Sequence, residues 1–286
     1  MLGEVSARIP RIIWIMWLQG LAQAPDVVSK CYESWKKHNL GWQVIFLDEQ
    51  TLQEYIDLRA LIGEARQYSS KQALSDIVRI NLLAEYGGVW VDATCFACVP
   101  LDTWIDRHCE SGFFAFRNPG VDRMLSSWFL ASSRDCYLVS RWCTEVNRFI
   151  DKNDFVRQGN ERTVNAVERL AVLLNRNKHF ARTWLLYLSP KAFKACPYFW
   201  FHYLFAGLYN KDRRFRQIWR STPEVSAEFA RKLRSSGLLK PISEKIKNDI
   251  DNRRDPLYKL TWHYDKNRYK SGCNLDYLLR SIETSE

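Results

Sequence analysis

The sequence predicts an α/β fold in which crossover connections build a mixed, mainly parallel sheet. Three observations carry this. Short β-branched and aromatic runs alternate with helical stretches through about the first hundred residues, two of those runs end on an aspartate, and much of the rest reads as helix.

The first strand is IPRIIWIMW, residues 9–17, dense in β-branched and aromatic side chains. A helix follows at 24–39, with Asp26 placed to cap it and Val27, Cys31, Ser34, Trp35 and His38 along one side. WQVIFLD, residues 42–48, is a second apolar run ending on an aspartate. TLQEYI is a short helix, and 71–88 is the longest clear one, ended by a glycine pair. Next comes EYGGVWVDATC, residues 85–95, in which Val89, Trp90 and Val91 have the bulk of a strand buried on both faces. An ionised Asp92 there is expensive unless an arginine, a metal ion or a ligand pairs with it. In sheets of this kind ligands bind beyond the carboxyl ends of the strands, where both Asp48 and Asp92 fall.

Residues 111–119 read as another strand and 137–153 as a helix with Val139, Trp142, Cys143, Val146 and Ile150 on one face. From 160 to 260 the chain is mostly helical, 256–267 returns to strand-like alternation, and a short helix closes it. With no repeat, low-complexity tract or linker, the 286 residues are expected to form one domain. Its core spans about 8–125, and a helical elaboration over 126–286 carries a late core strand near 257–264.

Lys and Arg number 42 against 32 Asp and Glu, and the formal charge of +10 predicts attraction to nucleic acid, phosphates or a membrane surface. Aromatics make up 14% of residues, with 12 Trp, which suits both a core and flat polar ligands. The eight cysteines show no framework spacing, and with no secretory leader pattern they read as reduced thiols of a cytoplasmic protein. Cys95 and Cys98 form one CxxC, which lacks the second pair a zinc site needs. No run is long and apolar enough to span a membrane. PYFWFHYLFAGLY, 197–209, followed by the basic KDRRFR, 211–216, admits two readings: a segment in the headgroup layer of an anionic membrane, or a core helix with its charged end in water.

On the helix before the Asp92 strand, SDIVR places Asp76 and Arg79 three residues apart and so on one side. Ile77, Val78, Ile80, Leu82 and Leu83 make that helix apolar around much of its circumference, and a charged pair on such a helix faces a site more often than open water.

Taken in order, PRIIWIMW, CYESWKKHNLGWQVIFLD, and SDIVRINLLAEYGGVWVDAT with the following VPLD resemble the capsular polysaccharide synthesis family, relatives of glycosyltransferases with a DXD sugar-binding region. The later FHYLF and LTWHYDK segments resemble it too. The resemblance implies a GT-A-like, Rossmann-like nucleotide-sugar core. It implies transfer of a hexose-type sugar from a nucleotide donor, with a preference for uridine, to a saccharide or lipid-linked oligosaccharide acceptor, and retention of configuration.

By that resemblance Asp76 and Arg79 hold the donor sugar and its phosphates, Asp92 meets ribose or sugar hydroxyls, and Trp17 lies beside the base. Arg79 and Asp92 are the catalytic candidates, Arg79 because the departing diphosphate needs a cation close by. Trp14, Asp48 and Ser75 join the donor-site set, as do Gly88, Ala93 and Thr94 from the glycine pair and the strand end.

The motif departs from the wider group at Thr94, where a second aspartate would ligate a divalent cation. A neutral hydroxyl is a poor ligand for Mn2+ or Mg2+ unless carboxylates act from elsewhere. His263 and Asp265, with Asp92 and Thr94, are the candidate metal set, and an ordinary strand histidine explains His263 equally. No nucleic-acid recognition motif accompanies the charge, so nucleic acid is not an expected partner. The family resemblance places the protein in the cytoplasm, peripheral on the inner face of the cytoplasmic membrane.

Overall fold

A computed structural model describes residues 8–63, 70–153, 161–177, 183–193 and 195–283. The first seven residues, on which the leader reading bears, lie outside the described residues. The β-branched run near the start becomes β1 (Ile12–Met16), which pairs in parallel with β2 (Gln43–Leu47) on one side and β3 (Gly88–Asp92) on the other. Helix α1 (Asp26–His38) connects β1 to β2, and α2 (Leu58–Ile62) and α3 (Lys71–Glu85) lie between β2 and β3. Ser70 caps α3 by accepting from the Ala73 amide.

After β3 the chain makes the short β4 (Cys95–Ala97), then β5 (Phe113–Gly120) and β6 (Arg123–Ser132), a hairpin whose second strand lies antiparallel against β3. Among the described residues the sheet order is β2-β1-β3-β6-β5, with four strands running one way and β6 against them. Helices α4 (Tyr137–Lys152), α5 (Glu161–Asn175), α6 (Trp184–Phe193), α7 (Trp200–Lys211), α8 (Arg213–Ser221), α9 (Glu228–Ser236) and α10 (Glu244–Asp251) follow. The last elements are β7 (Leu257–Lys259) and α11 (Asn274–Arg280).

Side chains alternate across the sheet as the strand period requires. Trp14 and Trp90 join α3, α4 and α7 in one apolar cluster. Ile13, Ile15, Val89 and Val91 join α1, α9 and α11 in the other. Strand β3 is therefore covered on both faces, as its bulky run suggested, and Val89 to Val91 are no more than 1% exposed. Gly88 has φ +91, and a Cβ there would stand 2.6 Å from the Ile12 carbonyl oxygen, so only glycine lets β3 start this close to β1.

Two expectations need correction. The core boundary near residue 125 falls inside β6, a central strand that the sequence reading did not find because Ser126 and Ser127 interrupt its apolar run. The late strand is three residues long and pairs with β4 in a separate two-stranded sheet, since the chain turns away after Leu260 donates to the Thr94 carbonyl. Of the two readings of 197–209, the core helix is the one found from Trp200 to Tyr209, while Tyr198 just before it is exposed. Every residue from Trp200 to Tyr209 in α7 is buried, with Phe201 stacked on Trp142 at 4.1 Å, so these rings are not available to lipid. Tryptophan richness is likewise mostly packing, since nine of the twelve are buried.

Candidate functional site

At the carboxyl end of β3, beside that of β1, a cleft of about 630 Å³ opens, and Ser75, Asp76, Arg79, Asp92, Ala93 and Thr94 all line it. Asp92 is the hub. Its Oδ2 accepts from Lys259 Nζ at 2.9 Å, its Oδ1 accepts from Trp90 Nε1 at 3.2 Å, and Oδ1 lies 3.5 Å from Arg79 Nη2. Burial pushes the Asp92 carboxyl up, but Lys259 and Arg79 outweigh it and hold it down at about 2. The carboxylate stays ionised and keeps 28% of its side chain open to the cleft.

Arg79 sits one helical turn from Ser75 on α3 and is 5% exposed at its side chain. Nε donates to the Ser75 carbonyl at 3.1 Å, Nη1 to the Ser127 carbonyl at 2.6 Å, and Nη2 to Ser75 Oγ at 2.8 Å. Nη2 also lies 3.3 Å from Asp76, and the guanidinium lies over the Trp90 ring at 5.1 Å. Most of the fork is thus committed to protein acceptors, and its charge, more than free N–H groups, faces the cleft. Asp76 is its buried counter-ion. Burial pushes the Asp76 carboxyl up to about 7, with Arg79 pulling it down and Asp92 adding to the rise.

The residue the sequence reading did not single out is Lys259. Its ammonium, 14% exposed, donates to Asp92 and also to Thr94 Oγ1 at 2.7 Å. Burial alone would lower its pKa, but Asp92 and Cys95 reverse that and raise it, so it is charged. The signal was a lysine two residues after Leu257 on the same strand face, an inward position where an apolar side chain is the rule.

The other walls carry groups the sequence reading largely passed over. Trp17 meets Trp262 edge to face at 5.6 Å, and the buried Trp17 Nε1 has no partner among the described residues. Tyr198, Phe199 and His202 also line the cleft, the last neutral because burial and the nearby arginines lower its pKa well below the usual range. Arg123, Arg231 and Arg234 form a basic stretch of the lining. Burial, then the charges of Arg123 and Arg234, lower the pKa of Arg231.

Several candidates fall outside the cleft lining. Trp14 is 1% exposed and spends its Nε1 on the Gly87 carbonyl at 2.9 Å. Asp48 turns back to accept from the Gln50 and Thr51 amides at 3.0 and 2.8 Å, tying down the turn after β2. Gly88 serves the strand contact described above. Asp265 accepts from the Asn267 amide at 3.0 Å and is exposed. His263 does line the cleft, with its ring 3.5 Å from that of Trp262.

The proposed metal ligands do not fit a divalent cation. Asp92 Oδ2 and Thr94 Oγ1, the two side-chain oxygens that would face it, both bind one ammonium. Asp265 is engaged elsewhere, and among the described residues no group of three or more His, Cys, Asp or Glu is arranged to hold a metal.

Fold and cleft together define an α/β protein with an ion-paired pocket at its strand ends. The family described as capsular polysaccharide synthesis protein matches residues 4–158, and the chain belongs to that family. A curated relative, the O-glycosyltransferase braB of Annulohypoxylon truncatum, is 27% identical over 151 residues, covering 46% of this chain and 35% of the relative. The chain thus spans about a third of that relative's length. A solved structure, PaToxG Glycosyltransferase, superposes with a TM-score of 0.38 and 12% identity, covering 96% of this chain and 86% of that one, too loosely to carry an argument.

Proposed function

We propose that the protein is a glycosyltransferase of capsular polysaccharide or lipopolysaccharide synthesis, moving a hexose-type sugar from a nucleotide donor, UDP in preference, to a saccharide hydroxyl with retention of configuration. The observation that carries this reading is the cluster at the end of β3, where one ionised carboxylate, Asp92, is held open to a cleft by Arg79 and Lys259. Family membership and the glycosyltransferase name of the relative support it. The GT-A-like description of the core belongs to the same reading.

Each part has a chemical task. Asp92 accepts from adjacent hydroxyls of the donor, which a carboxylate does at both oxygens. Arg79 and Lys259 lower the energy of the departing diphosphate, where negative charge grows as the bond breaks. Trp17 and Trp262 offer indole faces to the base. The acceptor oxygen bonds to the anomeric carbon, the bond to the diphosphate breaks with both electrons leaving on phosphate, and the hydroxyl proton passes to a departing phosphate oxygen. Arg123, Arg231 and Arg234 suit a phosphate on a lipid-linked acceptor.

The test is incubation with UDP-, GDP- and CMP-sugars while free nucleotide is measured. Release from a UDP-hexose, faster with a saccharide acceptor present, is expected. Nucleotide that binds but is never released from any donor would leave a sugar-nucleotide-binding protein instead.

A further inference from the structure

We propose that Lys259 replaces the divalent cation at this site, so that a nucleoside diphosphate is held by the lysine ammonium and Arg79 without metal. The inference rests on the function proposed above and names the cation its donor meets. Its ground is position. By the resemblance a metal-ligating aspartate would stand at the third place of the triplet; here the triplet is Asp92-Ala93-Thr94, and the atom between its two outer side chains is Lys259 Nζ, 2.9 Å from one and 2.7 Å from the other.

Backbone pairing fixes that position. β7 aligns Lys259 with Cys95, and the Leu260 amide donates to the Thr94 carbonyl at 2.8 Å, so the triplet and the lysine belong to one hydrogen-bonded unit. An ammonium has three N–H groups, and two are spent on Asp92 and Thr94. The third remains for a phosphate oxygen, on a side chain that lines the cleft. Thr94 now has a physical reason. A hydroxyl accepts from an ammonium without adding charge, whereas a second carboxylate would over-neutralise the lysine and repel the diphosphate. A metal ion entering here would have to displace Lys259 while standing beside Arg79, 3.5 Å from the same carboxylate.

Calorimetric titration of the full chain with UDP decides the matter, once in EDTA and once in Mn2+. The expected Kd agrees within about twofold between the two, and Mn2+ alone shows no binding by electron paramagnetic resonance. Binding that appears only with Mn2+, or tightens tenfold with it, overturns the inference and leaves the function intact. Failure of UDP, GDP and CDP to bind under either condition overturns the function and the inference with it. Lys259→Ala is expected to weaken UDP binding in EDTA at least tenfold and Lys259→Arg to restore most of it, while unchanged affinity in a folded Lys259→Ala also overturns the inference. The double variant Lys259→Ala with Thr94→Asp is expected to bind UDP only when Mn2+ is present. Should the lysine variants fail to fold, the wild-type comparison of EDTA with Mn2+ still decides.

Discussion

Lys259 donates to Asp92 at 2.9 Å across 167 positions of sequence, so the carboxylate at the end of β3 and the cation that answers it come from segments far apart in the chain. Asp92→Asn keeps the size but loses the charge that Lys259 and Arg79 both face. Nucleotide release from the preferred donor is expected to fall at least ~100-fold. Stability should drop by about 2 kcal/mol in urea titration, with the circular-dichroism spectrum unchanged. Wild-type turnover in this variant would remove Asp92 from the site.

Arg79→Lys retains a cation but cannot reach Ser75, Ser127, Asp76 and Asp92 together, because an ammonium has no fork. Donor affinity is expected to weaken about tenfold along with turnover. Equal affinity in the two proteins, with only the melting temperature lowered, would mean that Arg79 is a structural ion pair.

Asp76 makes a prediction in pH. Its folded-state pKa, raised to about 7, lies above the unfolded value near 4, so the native state binds the extra proton and loses stability as pH rises between them. Asp76→Asn has no proton to lose. Its urea midpoint relative to wild type should therefore climb from pH 4 to pH 7 and level off above. Asp92 runs the other way: its contribution is present above pH 4 and is lost as pH falls toward 2.

Trp262, 42% exposed against Trp17, is placed to meet a flat ring. Trp262→Ala is expected to weaken UDP binding about tenfold, read by calorimetry, since stacking of a base on an aromatic ring contributes about 1–3 kcal/mol. A much smaller loss would send the base to another wall.

An electrostatic contact with an anionic membrane is the one put to the test: the α7 rings are buried and no described helix is long and apolar enough to cross a bilayer, although Trp184, Leu188 and Phe193 on α6 are exposed. Arg213 and Arg214 on α8 are exposed, whereas Arg216 caps α7 by donating to the Tyr209 and Asn210 carbonyls. Flotation with phosphatidylglycerol vesicles should carry the protein at low salt and release it at high salt. Changing Arg213 and Arg214 to Glu should weaken retention by about 2 kcal/mol or more. Retention indifferent to both would end the proposal.

The order β1, α1, β2, α3, β3 was legible because each element carries its own local signal: β-branched runs, a one-sided apolar helix, a glycine pair at a close approach. Asp76, Arg79 and Asp92 were legible as one group because three residues on a helix and the strand after it fix where they fall. Strand β6 was not, since two serines hide a strand whose place is decided by its neighbours. Trp14 and Asp48 fall outside the cleft lining because strand-end position says nothing about which local amide or carbonyl a side chain will choose. Lys259 was least visible of all: its meaning depends on β7 finding β4, and no local pattern encodes a pairing over that distance.

That pairing also orders events during synthesis. While the ribosome is still adding the C-terminal stretch, the strand bearing Asp92 has been made and its lysine has not. The nascent protein therefore passes through a period in which Asp92 lacks one of its two cationic partners. The charge balance around Asp92 is thus complete only once β7 has been made and has paired with β4.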